Sequence, residues 1–416
     1  MAFRGQLHLE VYVGLFAALV LLSSCTSETK ASDEEAAASS FCLDLAVGSH
    51  LPRFGTDGDR LLLSYVLSDT SGPARLMVRE WRKGEWSTAV EVASGANWFV
   101  NWADFPSVKP LGKGRFYHFL AYSGDGTYDY DVRFGVSGDS SSEHRILHND
   151  GKPAEHGFVS SAHRPDGRLQ VTWLDGRFTK QEGAAAAVGH DHGGGGAMTL
   201  RTANVGMDGS VSERQELDHR VCDCCSTATT VVDGRALIVY RDRTENEIRD
   251  ISFVQELPDG SWSEPRAVSH DGWQIAGCPV NGPALAANEA GDAATAWYTA
   301  ADDEARIQFA RYDREKGTFG PAIVLDDDEP AGRVDVKVDR DGVAYVLGLS
   351  RGIDADTGEL RLWTIQKNGE VKERAVGTMS TARSAGFPRL AITDDEIWVA
   401  YTSTDPLSQV KLCRIK

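Results

Sequence analysis

From about residue 41 to its end the chain is written in short apolar runs separated by polar turns, many of them containing Asp-Gly. Few stretches carry the 3.6-residue period of an amphipathic helix, and strand-like alternation or continuous apolar runs dominate. A unit repeats. An apolar strand and a polar turn lead to a second apolar strand that usually ends in an aromatic residue, and two further strands follow. The second strands read Leu61–Tyr65, Arg115–Tyr122, Leu169–Trp173, Ala236–Tyr240, Ala293–Tyr298, Val343–Leu349 and Glu396–Tyr401. Their spacing of about fifty residues matches the four-stranded blade of a β-propeller. In the fourth unit the remaining strands are legible as Ile251–Glu256 and Arg266–Val268, around the turn Pro258-Asp259-Gly260-Ser261-Trp262. The pattern predicts an all-β propeller of seven units.

The seventh unit holds only three strands, Pro388–Thr393, Glu396–Tyr401 and Val410–Ile415. A blade left open would expose an unpaired edge, so the missing strand is expected from the N-terminal side. Phe41–Val47 is a free apolar strand before the first unit and carries Cys42, while the terminal strand carries Cys413. Pairing these strands brings the two cysteines together, and a Cys42–Cys413 disulfide is expected if the protein is exported.

Export is what the first residues predict. Val11–Leu22 is apolar apart from Gly14, too short for a confident span and suited to a signal-peptide core. It ends in Leu22-Ser23-Ser24-Cys25, which looks like the lipidation boundary of a bacterial lipoprotein. The expected organisation is a signal peptide over 1–24, lipidation at Cys25, a polar acidic tether over 25–40, and one propeller over 41–416. Thr26 after the lipidated cysteine points to an outer membrane where the cell has one. Against 61 acidic residues stand 43 Lys and Arg, a formal net charge of −18. That balance argues against nucleic-acid and polybasic membrane-surface partners, and a monomer is expected.

Placing the unusual residues on propeller topology makes them converge. Blade-to-blade connections and second-to-third-strand loops open on one face around the axis. Cys222, Cys224, Cys225 and Cys278 fall in such connections of adjacent blades, and His190 and His192 in a Gly-rich second-to-third loop. Disulfides are the default for exported cysteines. A thiolate site for copper or zinc, completed by His190, His192 or His219, is the alternative, although Cys-x-Cys-Cys is not a standard zinc spacing.

The turns Pro258–Trp262 and Gly317-Thr318-Phe319 look like degenerate Asp-boxes of BNR-repeat, sialidase-like propellers. The segments Trp98–Ser107, Cys222-Asp223-Cys224-Cys225, Tyr240-Arg241-Asp242-Arg243 and Gly277–Pro283 resemble more closely bacterial envelope proteins described as exo-α-sialidase-like. Characterised sialidases have six blades, so the resemblance implies six where the repeat counts seven. It further implies an arginine cluster for a substrate carboxylate, drawn from Arg177, Arg241, Arg243, Arg333 and Arg389. The implied catalytic set is Tyr401 as nucleophile, Glu247 to activate it and Asp104 as acid/base. Pro52-Arg53 is a distant echo of the arginine signature near a sialidase start.

The function expected first is therefore binding of an anionic, sialic-acid-like glycan on the arginine-bearing face, with exo-glycosidase activity by retaining chemistry as an extension. A non-catalytic metal or redox protein using the Cys/His face is the alternative, and a protein-interaction platform the third reading. Fold alone selects none of them.

Overall fold

The computed structural model describes residues 41–415 except 59, 69–71, 138–143, 181–195, 355 and 394–395. The predicted signal peptide, Cys25, the tether, His190 and His192 lie outside the described residues.

Seven antiparallel sheets follow one another along the chain. Each is built as the repeat predicts, so the propeller has seven blades and the six-bladed alternative is excluded. The second strands fall where the aromatic-ended runs placed them, for example Leu169–Asp175 and Ala293–Thr299. Every residue of Leu169–Asp175 is buried, because a second strand is covered by the neighbouring blade on each face. Four Trp side chains, Trp173, Trp297, Trp363 and Trp398, are fully buried between blades. Each indole N–H donates to a carboxylate: Asp175 at 2.9 Å, Asp271 at 2.8 Å, Glu373 at 3.1 Å and Glu396 at 3.2 Å. A large apolar ring can therefore be buried without orphaning its one donor.

The turns close as the Asp-Gly pattern demands. In the fourth blade Leu257 N–H donates to the Ser261 carbonyl, and Oδ1 of Asp259 accepts from the Ser261 N–H at 3.0 Å. Gly260 sits at φ +82°, a conformation that costs a residue with Cβ.

The first strands of the blades stand next to one another around the axis. They are Ser49–Asp57, Ser107–Leu111, His156–His163, Ala228–Val232, Ala284–Ala287, Gly332–Val338 and Arg389–Ile392. Between blades two and three the link is carried by Lys109, whose Nζ donates to the Ser161 carbonyl at 3.0 Å.

The ring is closed by the N-terminal strand. Phe41–Asp44 pairs antiparallel with Gln409–Ile415 and becomes the outer strand of blade seven. Cys42 lies opposite Cys413 in the ladder and the two form a disulfide across a sequence separation of 371. Removing both thiols, as Cys42→Ser with Cys413→Ala, should lower the unfolding free energy by about 2–5 kcal/mol. Chemical denaturation of the double variant beside the oxidised wild type measures it, and an unchanged midpoint would show that strand pairing alone holds the ring.

Candidate functional site

The axial face expected from topology is assembled largely by four connections. The loop 96–106 precedes blade two, 147–155 precedes blade three, 222–227 precedes blade four and 268–283 precedes blade five. The last two are pressed together: a Cβ on Gly282 would lie 2.2 Å from the Ser226 carbonyl oxygen, so only glycine permits this approach.

That contact brings the cysteines together. Sγ of Cys222 is 3.4 Å from Sγ of Cys225 and 3.9 Å from Sγ of Cys224. All three are buried, whereas Cys278 is partly exposed and bonds the Cys224 thiol from the neighbouring loop. The four are free thiols, so the disulfides expected by default between blades four and five are absent from this arrangement. Tetrahedral zinc–sulfur bonds of about 2.3 Å place sulfurs about 3.8 Å apart, close to the separations seen here.

Charged groups support this cluster from beneath. Arg249, 1% exposed, donates from Nη1 to Sγ of Cys222 at 3.3 Å and from Nη2 to Glu247 at 2.7 Å. Arg243 grips Glu247 at 2.8 Å and Asp223 at 3.0 Å. Burial pushes the Cys222 thiol up, but hydrogen bonds from Cys224 and Cys225 and the Arg249 charge outweigh it, so Cys222 is held well below an ordinary thiol. Cys224 is held well above it by its bonds to the other cysteines, then by burial. Cys222 is therefore the cysteine of the group whose thiolate its surroundings favour most.

A second set of groups adjoins the cysteines. Tyr130 donates through one hydroxyl toward both Glu155 Oε1 at 2.9 Å and Asp104 Oδ2 at 3.2 Å, and Asp104 Oδ1 accepts from the Phe158 N–H at 2.8 Å. Burial pushes Asp104 up to about 7 against these bonds and against Arg53. It pushes Glu155 well above the carboxylate range, with Asp104, Asp223 and Cys278 adding to the effect. Asp104 can therefore gain or lose a proton near neutrality beside Tyr130 and Glu155. A Cβ at Gly157 would fall 1.8 Å from Asp104 Oδ2, so the close approach of Asp104 depends on that glycine.

The remaining predicted residues lie apart. Glu247 is engaged by Arg243 and Arg249 in blade four. Tyr401 packs in the interface between blades six and seven, with Oη near Gly377 and with Lys411 and Asp44 as its charged neighbours. Tyr401, Glu247 and Asp104 thus have separate partners, and the Tyr–Glu pairing implied by the sialidase resemblance is not formed.

Most of the arginines are held by the protein itself. Arg241, 2% exposed, donates to the carbonyls of Asn281, Arg249 and Tyr298 and stacks on Trp273. Arg333 donates to the carbonyls of Thr381, Ala382 and Gly386. Arg177 forks onto Asp175 at 2.7 Å with both Nε and Nη2. These guanidiniums complete loop backbones and ion pairs, which leaves them few donors for a ligand. Arg389 differs, with Nε and Nη2 buried and unpartnered among the described residues.

Sequence reasoning passed over Glu155, Tyr130 and Arg249. Arg249 lies six residues beyond the Arg241-Asp242-Arg243 motif, and nothing local marks it as a thiolate partner. It also passed over His148, whose ring stacks on that of His156 at 3.6 Å, with Asp150 accepting from both.

Asp104 has a pH signature. Its folded-state value of about 7 lies above that of the unfolded chain, so its stabilising contribution is present at low pH and is lost as pH rises through 7. Asp104→Asn keeps both the size and the Phe158 bond. Its melting temperature relative to wild type should rise between pH 4 and pH 8, and a pH-independent difference would rule out a raised Asp104.

No protein-family model matches the sequence, and no curated protein matches it. Solved structures do match in shape. A polysaccharide lyase shares 11% identity over 89% of this chain and 91% of its own, at a TM-score of 0.53. A Mycobacterium tuberculosis puromycin-hydrolysing peptidase shares 15% over 88% of this chain and 51% of its own, at 0.50. A Hadza microbial sialidase shares 12% over 84% of this chain and 74% of its own, at 0.47. A lyase and a peptidase have different chemistry, so the likeness establishes the seven-bladed propeller architecture and leaves the reaction to the site.

Proposed function

We propose that this protein is a propeller that binds a soft metal ion, copper(I) or zinc(II), through Cys222, Cys224, Cys225 and Cys278 on its axial face. The observation that carries the reading is the sulfur geometry: separations of 3.4 and 3.9 Å, too long for disulfides and suited to a shared ion. Arg249 favours the Cys222 thiolate, and thiolates select soft ions over calcium or magnesium. Ligand deprotonation makes the affinity rise with pH. Cys278 is the partly exposed member, through which an ion enters.

Anaerobically purified protein should carry about one equivalent of copper or zinc, and Cys222→Ser should lower its affinity by at least tenfold. Metal analysis with thiol counting checks this. Peptide mapping that finds these four cysteines in two disulfides would overturn it.

A second reading is favoured by one side chain. Arg383 is exposed and lies 5.8 Å over the Trp102 ring, with Tyr128 nearby. A guanidinium beside aromatic rings suits an anionic glycan, the ligand class named by the sialidase resemblance, and the polysaccharide lyase shares the architecture. Hydrolysis of an aryl α-sialoside by metal-free protein, lost in Arg383→Met, would move the assignment to a glycosidase.

We further propose that the propeller lies in a cell envelope, anchored through lipid on Cys25. The disulfide supports an oxidising compartment. Fractionation of cells expressing Cys25→Ala should show the protein unprocessed or released from membranes, and wild-type behaviour would remove the anchor.

A further inference from the structure

The first strands bring an unusual set of cations to the propeller axis. Arg53 comes from blade one, Lys109 from blade two, Lys337 from blade six and Arg389 from blade seven, and each stays partly accessible to solvent. Two carboxylates stand near them, and both are engaged elsewhere. Asp335 accepts from the backbone N–H groups of Val336 and Leu390 and from Lys337 Nζ at 2.8 Å. Asp104 is held by Phe158 and Tyr130.

Neither Arg53 nor Arg389 has a carboxylate partner or any side-chain hydrogen bond among the described residues. Both guanidiniums instead lie over Phe105, at 4.5 and 4.8 Å, and Arg389 also lies 5.3 Å over Phe387. Nε and Nη2 of Arg389 are buried without a partner. Leaving charged donors unpaired in such a place is strongly unfavourable. The positive potential is felt all around. Burial and the Arg389 charge both disfavour the cation of Arg53. Burial, Arg53 and Lys337 bring Lys109 down to about 8, and burial with Arg53 brings His118 down to about 3.

The unpaired atoms specify the missing ligand. Nε and Nη2 form the edge of a guanidinium that donates two parallel hydrogen bonds to two oxygens of one anion. Asp335 offsets one of the four cations and Asp104, raised to about 7, offsets at most one more, so the excess is at least two, which a dianion balances and a monoanion does not. We propose that these residues bind, at the propeller axis, one doubly charged tetrahedral oxoanion, sulfate or hydrogen phosphate, clasped by the Nε–Nη2 edge of Arg389 with Arg53 as second guanidinium. Such an ion ties blade seven to its neighbour, blade one. The site shares no ligand with the cysteine cluster, so either proposal can fail without the other.

Isothermal titration of sodium sulfate and sodium phosphate into the full-length protein in chloride buffer tests it. Saturable binding of about one equivalent is expected, with a matching saturable rise in melting temperature. Arg389→Met and Arg53→Met should each weaken binding at least tenfold. If Arg389→Met does not fold, Arg53→Met decides alone. Absence of saturable binding, or unchanged affinity in the variants, overturns the proposal. Binding of glucuronate in preference to both inorganic ions overturns the dianion assignment and makes this a carboxylate site.

Discussion

A propeller stands or falls on its last blade, because radially packed sheets form a ring only if no blade is left with an open edge. Here the edge is covered by Phe41–Asp44, laid beside Gln409–Ile415 and locked by Cys42–Cys413. The residues that close the ring are thus the furthest apart in the propeller's sequence. Their pairing carries the largest loop-closure cost of the fold, and the cross-link removes most of that cost from the unfolded side. Once closed, the ring fixes every other relation. Blades pack face to face through buried Trp and aliphatic residues, and their first strands are forced together at the axis.

The crowding at the axis explains how the arginines are used. A strand-end arginine in a propeller meets the carbonyls of the next blade's loop, and Arg241 and Arg333 satisfy those carbonyls and are satisfied by them. Such donors hold loops still, which is a structural contribution to any site the loops carry. Arg53 and Arg389 sit deeper, on the first strands, where aromatic faces replace carbonyls as neighbours. The same residue type therefore serves as scaffold at the rim and as an unneutralised charge within.

The axial face combines two chemistries side by side. The cysteines of one pair of loops offer soft ligands with a positively charged support, while Asp104, Tyr130 and Glu155 form a hydrogen-bonded group. Glu155 lies within electrostatic reach of Cys278, so the two sets are linked. An ion arriving at the cysteines would alter the proton affinity of the acids beside them.

Period and chemistry of the repeat were written in the chain. Alternation, Asp-Gly turns and the spacing of aromatic-ended strands define blades locally, and a count of seven with an unfinished last unit implies both closure and the disulfide. Convergence of Cys222, Cys224, Cys225 and Cys278 followed as well, since topology assigns their loops to one face. What the sequence left open were matters of ångströms and of partners. Whether sulfurs lie at bonding distance depends on how closely two loops approach, which Gly282 against Ser226 sets. Whether an arginine is available depends on which carbonyls surround it. Tyr401 and Glu247 look compatible as residue types, yet they belong to different interfaces of the ring. Local patterns specify elements because they act within a few residues, whereas a site is made by side chains meeting across blades, and only the closed tertiary structure decides which of them meet.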